Sequence, residues 1–121
     1  MSVESYRDLK VWQKAIDLTV DCYAITKAYP SDEKYGLTSQ TRRAAGSVAA
    51  NIAEGHGRGT PKSFLNHLWI ANGSLKELET HLIVSGRLEY VSREDARPLF
   101  ALCEEIGRML VGLRHSLQQS D

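Results

Sequence analysis

The sequence predicts an all-α protein folded as an antiparallel, up-down-up-down four-helix bundle. Apolar residues recur three and four positions apart over most of the chain, which is the spacing of amphipathic helices. Three short segments containing glycine, proline or serine divide this pattern into four parts. No segment shows the sustained alternation of β-branched residues that indicates strands. A length of 121 residues suits one hydrophobic core, so we expect a single domain over residues 1–121.

The first helix is predicted at residues 8–29, ending before the break at Tyr29-Pro30. Its polar residues form one narrow stripe, and apolar residues occupy most of the remaining circumference. A helix in an isolated bundle needs an apolar arc of only about 100°. The excess predicts a contact with another subunit, for which we select Val11, Leu18 and Ile25.

The second helix is predicted at residues 36–55, with Gly55 at its C-terminal end. Arg42 shares one of its faces with Gly46, Ala49 and Ala53, which are small enough to let another backbone come close. This small-residue face is a second candidate subunit contact.

The third helix is predicted at residues 61–86, because Thr60 is a suitable N-cap and Pro61 fits the first helical position. Trp69 and Ile70 project away from its apolar stripe and are further candidates for the subunit interface. The fourth helix is predicted at residues 92–117, where the Ser92 side chain can cap the first turn.

Several polar residues border the apolar faces of the second and third helices. Half-buried polar groups need hydrogen-bond partners. We therefore expect a structural network across these helices, formed by Gln40, Asn51, Glu54, Asn72 and Glu79. Glu54 lies near a helix C-terminus, where the helix dipole disfavours negative charge, so it should have a cationic partner, and Arg58 is the nearest.

The chain carries fifteen Lys/Arg and fifteen Asp/Glu, so its formal net charge is zero. Affinity for nucleic acid must then come from a local patch. The candidate phosphate-binding residues are Arg42, Arg43, Arg58, Lys62, Lys10 and Lys14. Salt bridges within or between subunits are an equally good explanation for the arginines.

The motifs of common enzyme classes are missing from the sequence. The glycine-rich segment Gly55-His56-Gly57-Arg58-Gly59 follows a predicted helix and does not have the G-x-G-x-x-G order of dinucleotide sites. The four histidines are dispersed and the two cysteines have no CxxC spacing, so we expect no metal and no cofactor. No signal peptide or membrane-length apolar run is visible, which predicts a cytoplasmic protein with reduced thiols and no membrane partner.

Four segments resemble a known family of four-helix bundles. They are Tyr6–Leu18, the YGL motif at residues 35–37 followed by Arg42-Arg43-Ala44-Ala45, the NIAEG-x-GR tract at residues 51–58, and ANGS with ELE at residues 71–79. The family comprises proteins encoded in intervening sequences of bacterial 23S rRNA genes, often labelled S23 ribosomal proteins. The resemblance implies a homopentamer around a central channel. It also implies a relation to the accessory variability protein of diversity-generating retroelements, a basic pentamer that binds nucleic acid and a reverse transcriptase.

Three functions follow from these observations. The first is a non-enzymatic oligomeric scaffold that binds RNA or DNA weakly and without sequence specificity. The second is a protein-binding adaptor or assembly factor, with a partner such as a nucleic-acid enzyme, in which the arginines are structural. The third is a small-molecule site or enzyme at the polar network of Asn51, Glu54, Asn72 and Glu79.

Overall fold

The computed structural model of the chain describes residues 5–119. It contains four α-helices, α1 at Lys10–Thr26, α2 at Leu37–Gly57, α3 at Pro61–Arg87 and α4 at Arg93–Gln119. Single turns of 3-10 helix at Tyr6–Asp8 and Ser31–Glu33 precede α1 and α2. Residues 5–119 contain no β-strand, which confirms the all-helical part of the predicted fold class.

All four helices contribute to one hydrophobic core. Each helix contacts its neighbour in the sequence, α1 also packs on α4, and the contact between α2 and α3 is the most extensive. Leu18, Ile52, Leu75 and Ile106, one from each helix, are completely buried in this core. Burying one such side chain stabilises the fold by about 1.5–3 kcal/mol.

The helix boundaries differ from the predicted ones mainly in α1 and α2. α1 begins at Lys10 because Tyr6–Asp8 forms a separate 3-10 turn and Leu9 is extended. α2 continues past Gly55 to Gly57, so the prediction that Gly55 ends the helix was wrong. The chain turns instead at Gly59, whose φ of 82° is in the left-handed region that glycine tolerates.

Two of the predicted caps are confirmed. The Thr60 hydroxyl accepts a hydrogen bond from the Ser63 amide at 3.1 Å, and Pro61 occupies the first helical position of α3. The Ser92 hydroxyl accepts from the Asp95 amide at 3.0 Å at the start of α4. A cap of this kind stabilises a helix by about 1 kcal/mol.

Glu33 fixes the start of α2. Its carboxylate accepts hydrogen bonds from the Leu37 amide at 3.0 Å and from the Tyr90 hydroxyl at 2.9 Å. A Cβ atom on Gly36 would lie 2.7 Å from Oε1 of Glu33. Glycine at this position therefore leaves room for the carboxylate, which gives a physical reason for the YGL motif.

Candidate functional site

The turn between α2 and α3 brings the glycine-rich tract against the first turns of α3. We call Glu54, Gly55, Arg58, Phe64 and His67 the α2–α3 turn cluster. Gly55 is buried, and a Cβ atom added to it would lie 2.5 Å from Cβ of His67 and 3.2 Å from Cδ1 of Phe64. Only glycine allows α2 and α3 to approach this closely without a shift of the neighbouring atoms.

Charged groups of this cluster are paired with one another. Nη2 of Arg58 donates to Oε2 of Glu54 at 2.7 Å, which confirms the predicted partner of Glu54. Nε2 of His67 lies 3.4 Å from the same oxygen, and Nδ1 of His67 lies 2.9 Å from the Ser63 carbonyl oxygen. The hydrogen bond from Arg58, with the positive potential of His67, lowers the pKa of the Glu54 carboxyl from its ordinary value of 4.5.

A second polar cluster joins the middle of α2 to α3. The hydroxyls of Ser47 and Ser74 lie 2.8 Å apart, and the Asn51 amide donates to the Ser47 carbonyl and hydroxyl oxygens at 2.9 and 3.1 Å. These bonds satisfy half-buried polar groups at the helix interface. Sequence reasoning selected Asn51 but missed Ser47 and Ser74, although both lie on the sides of α2 and α3 that face each other.

The five residues of the predicted polar network do not form one network. Asn51 and Glu54 belong to the two separate clusters described above. Glu79 pairs instead with Lys76 of its own helix at 3.1 Å. Gln40 is exposed, and within residues 5–119 the side chains of Gln40 and Asn72 make no hydrogen bond. The prediction failed because a helical wheel gives the direction of a side chain but not the height of its partner on the next helix.

Arg42 is attached to α1. Its Nε donates to the Thr26 hydroxyl at 2.8 Å, and Nη2 donates to the Tyr23 carbonyl at 3.4 Å. The guanidinium also lies over the Tyr23 ring, 4.6 Å from the centroid. A cation at the C-terminal end of α1 is favoured by the helix dipole. Arg42 thus has a structural role in the chain, where it joins α2 to the last turn of α1.

The other candidate phosphate-binding residues do not form one patch. Arg58 pairs with Glu54, and Lys14 lies 3.7 Å from Glu105 of α4. The side chains of Lys10, Arg43 and Lys62 are exposed and make no ion pair within the described part of the chain. Arg43 and Arg58 are about 22 Å apart along α2 at 1.5 Å per residue. The predicted patch is therefore divided between the two ends of α2.

Three of the predicted interface residues are core residues. Val11, Leu18 and Ala49 have exposed fractions of 4%, 0% and 5%, so their side chains are not available to another subunit. α1 of the same chain packs beside the small-residue face of α2, as the Arg42 bonds show, and buries Ala49. Ile25, Gly46 and Ala53 are half-buried, and a Cβ atom on Gly46 would meet open space.

Large apolar side chains are exposed in groups on α1 and α3, and α4 adds Val111, exposed by 41%. On α1 these are Ile16, Val20 and Tyr23, of which Val20 is 61% exposed. On α3 they include Trp69 and Ile70, exposed by 51% and 46% as predicted from the helical wheel. A single chain leaves these apolar side chains of α1 and α3 open to solvent.

Arg114 is a feature that sequence reasoning missed. It is buried in α4, its guanidinium lies 3.8 Å from the centroid of the Trp69 ring, and its Nη1 has no hydrogen-bond partner. Contact with the indole face offsets part of the cost of burying this cation. The available signal was its position in the apolar stripe of α4, one turn after Leu110.

Cys22 and Cys103 are free, buried thiols. Burial, chiefly, raises the pKa of both thiols to about 12, so neither is a nucleophile at neutral pH. Within residues 5–119 no group of His, Cys, Asp and Glu side chains is arranged to hold a metal ion. None of the helices described above combines the length and apolar character needed to cross a membrane.

A family model described as the 23S rRNA-intervening sequence protein matches residues 7–112. The chain belongs to this family. A solved structure from Bacteroides thetaiotaomicron, described as a protein of unknown function from the S23 ribosomal protein family, superimposes with a TM-score of 0.77. It shares 25% sequence identity, and the alignment covers 86% of this chain and 97% of that one. No curated protein matches the sequence. The resemblance read from the NIAEG-x-GR tract is thus confirmed.

Proposed function

We propose that this member of the 23S rRNA-intervening sequence family is a non-enzymatic, cytoplasmic scaffold. It assembles as a homo-oligomer, a pentamer by family resemblance, and binds RNA or DNA weakly and without sequence specificity. The observation that carries the proposal is the apolar surface on α1 and α3. Val20 is exposed on α1, and Trp69 and Ile70 are exposed on α3; exposed apolar surfaces on a folded chain are typical of interaction sites.

The helices of the proposed subunit run up and down alternately. In contacts between α2 and α3, Ser47 pairs with Ser74, and Glu54 pairs with His67 further along α2. The partner number falls as the α2 number rises, which is the signature of an antiparallel pair. The turn at residues 58–60 is short enough to require this arrangement, and the connection at residues 88–92 favours the same for α3 and α4.

The exposed apolar surfaces lie on helices that do not contact each other within the chain. If the α1 surface of one copy packs on the α3 surface of the next, the contact is head-to-tail. Contacts of this type close into rings when the rotation between copies allows it. A ring is the assembly that the family resemblance implies.

Nucleic-acid binding in this proposal depends on those candidate phosphate-binding residues that make no ion pair within residues 5–119, namely Lys10, Arg43 and Lys62. One chain holds too few for useful affinity, but a ring repeats each of them around its axis. Several weak phosphate contacts on one assembly raise the overall affinity. The logarithm of the binding constant for duplex DNA should fall by about 0.9 for each phosphate neutralised when the salt concentration rises tenfold.

The oligomer is tested by the substitution Val20→Asp. A charge in a buried subunit contact should dissociate the assembly, because the carboxylate would lose its hydration there. Multi-angle light scattering should then show a smaller mass, while circular dichroism shows unchanged helix content. Ala50→Asp is the matched control, since Ala50 is exposed on α2, outside both apolar surfaces. A wild-type protein that is monomeric at micromolar concentration would refute the scaffold.

Nucleic-acid binding is tested by a gel-shift titration with single-stranded RNA and duplex DNA at two salt concentrations. The double variant Arg43→Ala/Lys62→Ala should bind at least tenfold more weakly and depend less on salt. Arg108→Ala, which removes an exposed cation that pairs with Glu104 on α4, is the control and should bind normally. An intact oligomer with no affinity at low salt would contradict this part of the proposal.

That outcome would favour the second function, a protein-binding adaptor. The Trp69–Arg114 stack is the specific observation behind it, because tryptophan and arginine dominate the binding energy of many protein interfaces. In this second function Trp69 contacts the partner and not another subunit, so Trp69→Ala would abolish capture of a partner such as a nucleic-acid enzyme. A smaller oligomer in the same variant would instead assign Trp69 to the subunit interface.

A further inference from the structure

The junction of α3 and α4 contains a cavity whose rim is cationic and whose floor is apolar. We infer that this cavity binds a small amphiphilic anion, a molecule with an apolar body and a carboxylate or phosphate head. Its volume is about 430 Å³, within the range of about 300–1,000 Å³ for ligand pockets. Arg87, Arg93 and Arg97 lie at its rim, and Ile83, Val91 and Phe100 are among its apolar lining residues. We call it the arginine-rimmed pocket.

The three arginines lack internal counter-charges. Arg87, Arg93 and Arg97 are exposed and form no ion pair or hydrogen bond with any other residue in the range 5–119. Arg93 and Arg97 are one helical turn apart on α4, a spacing at which like charges repel. The acidic residues Glu94 and Asp95 of the same turn do not line the pocket. A bound anion would relieve this repulsion, which gives the pocket its preference for negative charge.

The lining argues for an organic anion over an inorganic one. Ile83 is 53% exposed and Phe100 is half-buried, so the pocket presents apolar surface to water. Ser92 is the only uncharged residue with a polar side chain in the lining, and its hydroxyl already caps α4. Inorganic phosphate would engage the guanidinium groups and leave the apolar surface uncovered. A ligand with a short acyl or aromatic body would use both features.

This site goes beyond the proposed function and stands independently of it. None of the residues in the pocket belongs to the α1 surface, to the α2–α3 turn cluster or to the cations proposed to contact nucleic acid, and Ile83 lies about 20 Å along α3 from Trp69 and Ile70. Loss of the oligomer or of RNA binding would leave the inference intact. Failure of anion binding would likewise leave the proposed function intact.

The test uses octanoate and octyl phosphate as probes, with octanol as their neutral match, each below its micelle concentration. Isothermal calorimetry of the whole chain should detect both anions, bound at least tenfold more tightly than octanol at low salt. The difference should shrink at high salt, where exposed charges are screened. Methyl NMR signals of Ile83 and Val91 should shift on addition of either anion. Equal affinity for octanol and octanoate would overturn the inference.

Two variants locate the site. Arg93→Gln/Arg97→Gln should weaken binding of both anions by at least tenfold, because two charge-assisted contacts are lost. Arg108→Gln, on the same helix but outside the pocket, is the matched control and should bind normally. Gly86→Leu should block binding by filling the cavity, since a Cβ atom at Gly86 meets nothing within 4 Å. Wild-type affinity in the double arginine variant or in Gly86→Leu, with thermal melts showing both folded, would refute the site.

Discussion

The two helix junctions on either side of α3 both connect consecutive helices, but they differ in length and in how their charged side chains are paired. At residues 58–60 the chain turns in three residues, the helices touch at Gly55, and the nearby charges pair with each other. At residues 88–92 the connection is longer, the helix ends line an open cavity, and three arginines at its rim have no acidic partner among residues 5–119. Charged side chains that pair with each other stabilise the fold, whereas charged side chains without a partner can bind a ligand of opposite charge.

The largest difference should appear when alanine replaces one glycine at each junction. Gly55→Ala should destabilise the protein by about 1–3 kcal/mol, because its Cβ would lie 2.5 Å from Cβ of His67 and force the helices apart. Gly86→Ala should be neutral or stabilising by up to about 1 kcal/mol, since its Cβ meets open space within a helix. Chemical denaturation measures both, and equal stability of the two variants would show that the α2–α3 contact is loose.

Each junction has one residue with a left-handed backbone conformation, and substitutions at the two residues should change the stability in opposite directions. Gly59 has φ of 82° and Glu89 has φ of 62°. Gly59→Ala should cost about 1 kcal/mol because a Cβ is strained in this conformation. Glu89→Gly should change stability little or raise it by up to about 1 kcal/mol by relieving the same strain. Thermal melts of both variants test the comparison, and a loss of stability in Glu89→Gly would contradict it.

The smallest effect should be a pH dependence confined to the α2–α3 junction. The lowered pKa of Glu54 means that its charged form is favoured by folding. Its contribution to stability is then fully present above the ordinary value of 4.5 and is lost as the pH falls through the lower folded pKa. Glu54→Gln should be less stable than wild type at pH 7, and the two should converge in acid. A difference that persists below pH 3 would assign the effect to packing.

The sequence predicted the helices well because their signals are local. Thr60, Pro61 and Ser92 mark helix starts through backbone chemistry that needs no knowledge of the fold. The pairing of Glu54 with Arg58 was predictable for the same reason, since the two are one helical turn apart.

Contacts between helices were harder to predict. The attachment of Arg42 to Tyr23 and Thr26, and the stack of Arg114 on Trp69, depend on the relative height and rotation of two helices. Periodicity does not encode either quantity. The arginine-rimmed pocket was missed for the same reason, because its arginines come from two helices and only the junction brings them together.

The two buried cysteines lie on α1 and α4, away from the extensive α2–α3 contact. A thiol reagent cannot reach them while the helices are packed, and their thiolate fraction at neutral pH is negligible in the closed state. The two cysteines therefore report local opening of the native chain, because the rate of alkylation at each one depends on how often the helices around it separate. Slower alkylation when a ring forms or a ligand binds would show that the partner holds the α1–α4 contact closed.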